Sequence, residues 1–263
     1  MLRQRILTAV IAVVLLLAVL YAAPPVLART VIAGLFVAAA WEWSGFLGAT
    51  PTVRWVFVGL IAALEGAVWL WLPDPGAYQL LASIAVVWWI IALVWLFLFP
   101  TPIAKPVVWL CGAVVLIPTY VALDWLYLQS PHYLLALLVV VWSADVGAYF
   151  AGRSFGRVKL APMVSPGKTW EGVFGGVVVV LAVVTAVALW QDLALAVVLP
   201  FCAAVAMLSV VGDLTVSMFK RHSGVKDSGR LFPGHGGILD RIDSVCAAAP
   251  LFAGGVALYG AMS

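Results

Sequence analysis

Between Ser217 and Asp243 the chain reads S-M-F-K-R-H-S-G-V-K-D-S-G-R-L-F-P-G-H-G-G-I-L-D-R-I-D, which sets five lysines and arginines and three aspartates into 27 residues. Basic side chains at that density attract polyanions, and carboxylates among them can hold a divalent cation through hard oxygen ligands. Asp240 and Asp243 stand at i and i+3, so a helix starting there presents both carboxylates on one face. Two readings apply to the pair: complementarity to the positive end of the helix dipole, which needs no ligand, or part of a cation site. Asp213 and Asp145 favour the second, because both are ionisable groups inside apolar spans, where a charge costs at least ~2.5 kcal/mol. Magnesium, which retains waters and shares its shell with substrate phosphates, suits such donors.

Gly234-His235-Gly236-Gly237 lies just before this pair. Glycines let backbone N–H groups approach an anion closely, so the run reads either as a phosphate cradle or as a tight turn between helices. A second polar segment contains Ser165-Pro166-Gly167-Lys168-Thr169-Trp170-Glu171-Gly172. Its Gly-Lys-Thr resembles the end of a P-loop, but the first glycine of that motif would fall on Pro162, and no strand is predicted before it. Lys168 remains as a point charge for phosphate, and Ser165 or Thr169 as a cap for the following helix. Gly172 and Gly176 form G-x-x-x-G, a pattern that brings two helices close.

These charges stand out because 65% of the residues are hydrophobic and only 10% are charged, against ~25% charged in ordinary soluble domains. The chain reads as an all-α, polytopic integral membrane protein. Apolar runs near 6–23, 30–48, 53–73, 78–99, 106–128, 132–152, 171–190, 193–216 and 242–262 have the length a helix needs to cross a bilayer. Proline or glycine marks most breaks. Residues 1–263 form one integral membrane domain, in which the first five spans make an amino-terminal bundle and 132–263 carry the two polar loops, 153–170 and 217–241.

With about nine spans and the amino terminus inside, every lysine and arginine except Arg29 falls on the cytoplasmic side, as the positive-inside rule requires. The expected location is the cell (inner) membrane, multi-pass, with both polar loops facing the cytoplasm. The first apolar run follows Arg3 and Arg5 but is long and meets Pro24-Pro25 at once, which favours an uncleaved helix over a signal peptide. Cys111, Cys202 and Cys246 read as packing residues, and most of the tryptophans as interface anchors. Glu42 and Glu65 are intramembrane acids; Glu42, near the cytoplasmic end of its span, could reach the site or an internal partner, and Glu65 has no assignment.

Ser217, Lys220-Arg221, Lys226-Asp227, Gly229, Phe232-Pro233, His235-Gly236-Gly237, Asp240-Arg241 and Asp243 together resemble the signature of the phosphatidate cytidylyltransferases, or CDP-diacylglycerol synthases. Asp145, Ala148-Tyr149, Gly152, Ser165-Pro166, Lys168-Thr169 and Glu171-Gly172 resemble the same family upstream. Gly167 departs from it, standing where a basic or polar residue is more usual. The resemblance implies transfer of the cytidylyl group of CTP to phosphatidic acid, giving CDP-diacylglycerol and pyrophosphate, with Mg2+ required. On this reading Asp213, Asp240 and Asp243, with Asp145, are the metal ligands. Lys168, Lys220, Arg221, Lys226 and Arg241 hold phosphates. Ser165, Thr169, Ser217, Gly236 and Gly237 line the substrate site, and Asp227 and His235 shape the catalytic loop. CTP, phosphatidic acid and the lipid bilayer are the expected partners, a homodimer is one candidate assembly, and nucleic acid is not expected because no soluble basic module is present.

Two other classes share some of these features. A CTP-dependent lipid kinase would transfer the γ-phosphate to an alcohol and release CDP, and a transporter would use the intramembrane acids without a basic, glycine-rich loop. The topology has a direct check: a thiol introduced at Ser223 is expected to be shielded from an impermeant external reagent in sealed cells, and labelling there would overturn the map.

Overall fold

The computed structural model describes residues 2–71, 75–229 and 236–260, and side chains within them except at 2–9, 71, 75–79 and 260. Nine α-helices occur among the described residues: α1 (Leu2–Tyr21), α2 (Pro25–Ser44), α3 (Pro51–Trp71), α4 (Pro75–Leu98), α5 (Lys105–Gln129), α6 (Pro131–Phe155), α7 (Trp170–Trp190), α8 (Leu195–His222) and α9 (Leu239–Gly260). Eight are long and apolar enough to cross a membrane, and α1 contributes a shorter described apolar stretch, Val10–Tyr21. The chain is a multi-pass membrane protein. Pro25, Pro51, Pro75 and Pro131 open their helices, where the missing N–H costs nothing and the fixed φ is already helical.

Helix faces divide by what they meet. On α4, Val87, Ile90, Val94 and Phe97 recur at helical spacing and are 55–74% exposed, whereas Ala85, Trp89 and Ala92 are buried. The centre is filled by α5 and α9. Leu116, Tyr120 and Leu126 of α5 are fully buried, as are Cys246, Ala247, Ala248 and Ala249 of α9. The Thr119 hydroxyl donates to the Cys246 carbonyl at 3.0 Å, tying the two helices. The three cysteines are free and buried, as their apolar surroundings led us to expect.

Two departures from the sequence reading concern the polar segments. The segment after α6 contains a small antiparallel hairpin, β1 (Lys159–Ala161) with β2 (Ser165–Thr169), where no strand was expected; a strand thus does contain Lys168, and Pro162 alone argues against a P-loop. The second polar segment is shorter than expected because α8 continues to His222, carrying Ser217, Lys220 and Arg221 on helix rather than loop. Arg230, Phe232, Pro233, Gly234 and His235 lie outside the described residues.

Small residues set the closest approach, between α6 and α7. A Cβ on Gly147 would lie 2.8 Å from the Gly175 carbonyl oxygen, and one on Gly176 would lie 2.7 Å from the Ala144 carbonyl oxygen. Backbone thus faces backbone, with no flexible side chain to yield, which is what the G-x-x-x-G spacing predicts. Thr169 caps α7 by accepting from the Gly172 N–H at 3.2 Å, and the Glu171 carboxylate accepts from the Val158 N–H at 3.1 and 3.2 Å, so the hairpin is fastened to the first turn of α7.

Gly176→Val is therefore expected to lower stability by about 1–3 kcal/mol through overpacking. Gly34→Ala, where an added Cβ meets nothing within 4 Å, should be neutral or mildly stabilising. Thermal unfolding of the two variants in the same detergent checks the contrast.

Candidate active site

The alternation of helices along the chain brings the carboxy-terminal ends of α2, α4, α6 and α8 to the same end of the bundle as the starts of α3, α5, α7 and α9. Contacts confirm that end as a unit. The His222 ring lies 3.1 Å from the Ile103 carbonyl, the Ser223 hydroxyl donates to the Phe46 carbonyl at 3.1 Å, and Arg221 Nε donates to the Val164 carbonyl at 3.1 Å. The opposite end is closed by a different pair. Arg29 donates to both oxygens of Asp124 at 2.7 and 2.8 Å and stacks over Trp69 at 4.4 Å. Asp124 is a buried residue of α5.

Helices α8 and α9 lie against each other beside the acids. An added Cβ on Gly212 would meet the Asp243 carbonyl oxygen and the Ala247 side chain, so only glycine permits this approach. It brings Asp213, next along α8, toward Asp243 on α9. Asp213 lies within electrostatic reach of both Asp243 and Asp145. Asp145 is exposed on α6 and also within reach of Lys168 and Arg241.

Asp213, Asp240 and Asp243 each meet a lysine or hydroxyl from another turn or element. Lys168, at the end of the hairpin, places Nζ 2.6 Å from Asp213 Oδ2, and the Ser217 hydroxyl donates to Asp213 Oδ1 at 3.2 Å. Lys220 Nζ lies 2.8 Å from Asp240 Oδ1 and 4.0 Å from Asp243 Oδ2. Asp240 Oδ2 accepts the N–H groups of Ser228 and Gly237, both at 3.0 Å. Both oxygens of Asp240 are thus engaged, Oδ1 by Lys220 of α8 and Oδ2 by the backbone of its own loop. Asp243 Oδ1 accepts only the adjacent Ser244 N–H at 2.8 Å.

The donor set suits a hard cation in kind: Asp145, Asp213 and Asp243 offer oxygen alone, and the Lys168 ammonium already places positive charge against Asp213. Among the described residues no three acidic, histidine or cysteine side chains converge on one point. Magnesium does not require that, since it commonly takes one or two carboxylates and completes its shell with water and phosphate.

Glu42, the acid expected to reach the site or an internal partner, proves to be part of this end. From α2 it accepts the Ile238 N–H at 2.9 Å, the Leu239 N–H at 2.8 Å and the Ser228 hydroxyl at 2.8 Å. Ile238 and Leu239 supply N–H groups at the start of α9, which have no partner within the helix. The glycines near them are explained by the same carboxylate: side chains at Gly229 or Gly237 would run into Glu42, and Gly236 adopts φ +80° against Asp240. The anion that this glycine run cradles is therefore supplied by the protein. The sequence signal for Glu42 was the cost of an acid in a span, which demands a partner without naming it.

Of the remaining expected site residues, Lys226, Asp227 and Arg241 are exposed, Ser165 is partly buried, and Thr169 is buried as a cap. His235 falls outside the described residues.

A model of the cytidylyltransferase family matches residues 3–259. The chain belongs to the cytidylyltransferase family and is an enzyme. It is 37% identical over 284 residues to a phosphatidate cytidylyltransferase of Haemophilus influenzae, covering 96% of this chain and 97% of that protein. A protein of the same name from Pseudomonas aeruginosa is 40% identical over 267 residues, with 96% of each chain covered. One from Staphylococcus saprophyticus is 45% identical over 139 residues, 50% of this chain and 54% of that one. In this member of the cytidylyltransferase family the matched segment takes in every residue of the acid and lysine constellation.

The buried and exposed lysines of the site should separate in a stability measurement. Lys220→Met leaves Asp240 and Asp243 without their cation at a position where the Lys220 and Asp240 side chains are only 10% and 7% exposed, and is expected to cost about 3–5 kcal/mol. Lys226→Ala, on an exposed side chain, should stay within ~0.5 kcal/mol of the parent. Equal melting temperatures for the two variants would contradict this arrangement.

Proposed function

We propose that the enzyme transfers the cytidylyl group of CTP to phosphatidic acid, giving CDP-diacylglycerol and pyrophosphate, at the cytoplasmic side of the bacterial inner membrane. The observation that carries this reading is the pairing of membrane-embedded carboxylates with lysines from separate elements, Lys168 with Asp213 and Lys220 with Asp240 and Asp243. It stands in a chain similar along nearly its whole length to proteins named phosphatidate cytidylyltransferase. The side follows from the positive-inside rule, since every lysine and arginine except Arg29 belongs to the site's end of the sequence map.

In this reaction an oxygen of the lipid phosphate attacks the α-phosphorus of CTP. The bond from that phosphorus to the bridging oxygen of the β-phosphate breaks, and pyrophosphate leaves with the electron pair. The nucleophile is already an anion, so no side chain need be covalently modified. The protein's task is to align the two phosphates and offset their charge. Lys168, Lys220, Arg221, Lys226 and Arg241 are the cations for it. Lys168 is well placed to exchange Asp213 for a phosphate oxygen, because both side chains of that pair are about a quarter exposed (27% and 25%).

Magnesium would be held by Asp213 and Asp243, with Asp145 nearby, and would supply charge neutralisation at the phosphate oxygens. Asp240 would join them only by releasing a lysine or the backbone N–H groups it holds, so we assign it first to loop geometry. Ser217 steadies Asp213, Thr169 and Ser165 shape the hairpin that carries Lys168, and Gly236 and Gly237 shape the start of α9. Asp227 belongs to the segment between α8 and α9, and His235 keeps the loop-shaping role that the family resemblance implies. A lateral opening between helices near Asp145 would let a lipid phosphate meet a water-soluble nucleotide.

Purified protein given labelled CTP, phosphatidic acid and magnesium is expected to form CDP-diacylglycerol and pyrophosphate in equal amounts, and a chelator should stop the reaction. Release of CDP with a newly phosphorylated lipid would replace the reading with a kinase. Asp213→Asn should reduce turnover by at least about a hundredfold while the protein still inserts, and added magnesium should restore little of it. Arg221→Ala or Lys226→Ala should weaken CTP use by about 1.5–3 kcal/mol of transition-state binding; unchanged kinetics would remove that residue from the site.

A further inference from the structure

Glu42 meets no lysine or arginine among the described residues, and it makes three hydrogen bonds to a segment almost two hundred residues away in sequence. It is 7% exposed. Its oxygens receive the N–H groups of Ile238 and Leu239 at the point where α9 begins, immediately before Asp240 and Asp243, and the Ser228 hydroxyl from the other arm of the same loop. The loop is thereby held at two places by one carboxylate. Asp240 Oδ2 repeats the arrangement, accepting from Ser228 N on one arm and Gly237 N on the other. Side chains at Gly229 and Gly237 would collide with Glu42, so both arms of the loop are shaped to admit it.

We infer that Glu42 is a positioning residue for the reaction proposed above: it fixes the start of α9, and with it Asp240, Asp243 and Arg241, in the geometry that receives the nucleotide. Glu42 acts through the backbone. It touches no reacting atom, and it accepts donors that otherwise have no partner in a dry environment. Glutamine at this position has one acceptor oxygen in place of two and turns an amide N–H toward the backbone N–H of Ile238 or Leu239, a donor that cannot accept it. Aspartate keeps the charge but is shorter by one methylene.

The expected kinetic signature follows from where Glu42 acts. Glu42→Gln should raise the KM for CTP at least fivefold and lower kcat at least tenfold, while the KM for phosphatidic acid stays within about twofold. Glu42→Asp should recover part of both losses. A purely structural role would reduce the active fraction, lowering apparent kcat with both KM values unchanged, and that result overturns the inference. Should Glu42→Gln fail to insert, Gly237→Ala supplies the second arm: its methyl displaces the carboxylate without removing it, and it too should raise the KM for CTP, whereas an unchanged KM counts against Glu42. The parent enzyme serves as the reference throughout. If the parent forms no CDP-diacylglycerol, the reaction assignment fails; if it does and the variants keep the CTP KM, only the role of Glu42 fails.

Discussion

A charge carried into hydrocarbon must find a partner, and that single constraint organises both ends of this bundle. At one end Arg29 and Asp124 satisfy each other through two short hydrogen bonds, with the Asp124 side chain 6% exposed. At the other, Lys168 meets Asp213 with both side chains about a quarter exposed. The difference in exposure separates their roles. A pair that water can reach contributes on the order of 0–1 kcal/mol to stability, too little to explain why an aspartate is kept in a span. A site open to solvent and rich in both signs of charge is instead what an anionic nucleotide needs, because phosphate oxygens can take over the lysines as the carboxylates release them.

The carboxylates reach their positions through close backbone packing. Gly212 lets α8 touch α9 at Asp243, and Gly147 with Gly176 lets α6 touch α7, which fastens the hairpin bearing Lys168 above the same region. With so few side-chain atoms at these crossings there is little freedom to slide. Rigid elements of this kind hold a site more accurately than a loop could. The connection between α8 and α9 is held in turn by Glu42 and Asp240, whose oxygens supply the acceptors that a membrane interior does not offer its N–H groups.

Much of the site could be read from residue types. Asp145, Asp213 and Asp243 were recognisable as acids in apolar spans, and Lys168 and Lys220 as cations of the two polar segments. Their partners were not readable, since Lys168 and Asp213 are distant in sequence and meet only because α7 and α8 pack together with the hairpin above. Lys220 and Arg221 looked like loop residues because charge usually ends a span; α8 nevertheless runs to His222, since Lys220 folds onto Asp240 and Arg221 onto the hairpin instead of seeking water. The glycines before α9 signalled close approach to an anion. That the anion is Glu42 depended on the position of α2, which no local pattern encodes.

The amino-acid sequence by itself determined the membrane class, nearly all helix positions and the end of the bundle where the acids and lysines gather, because apolar run length, proline placement and charge distribution are local properties with local physical consequences. The small hairpin, the extension of α8 and the identity of each ion pair were decided only in the tertiary structure. They depend on which helices lie side by side and on how a buried donor or charge, having no water available, selects among partners far along the chain.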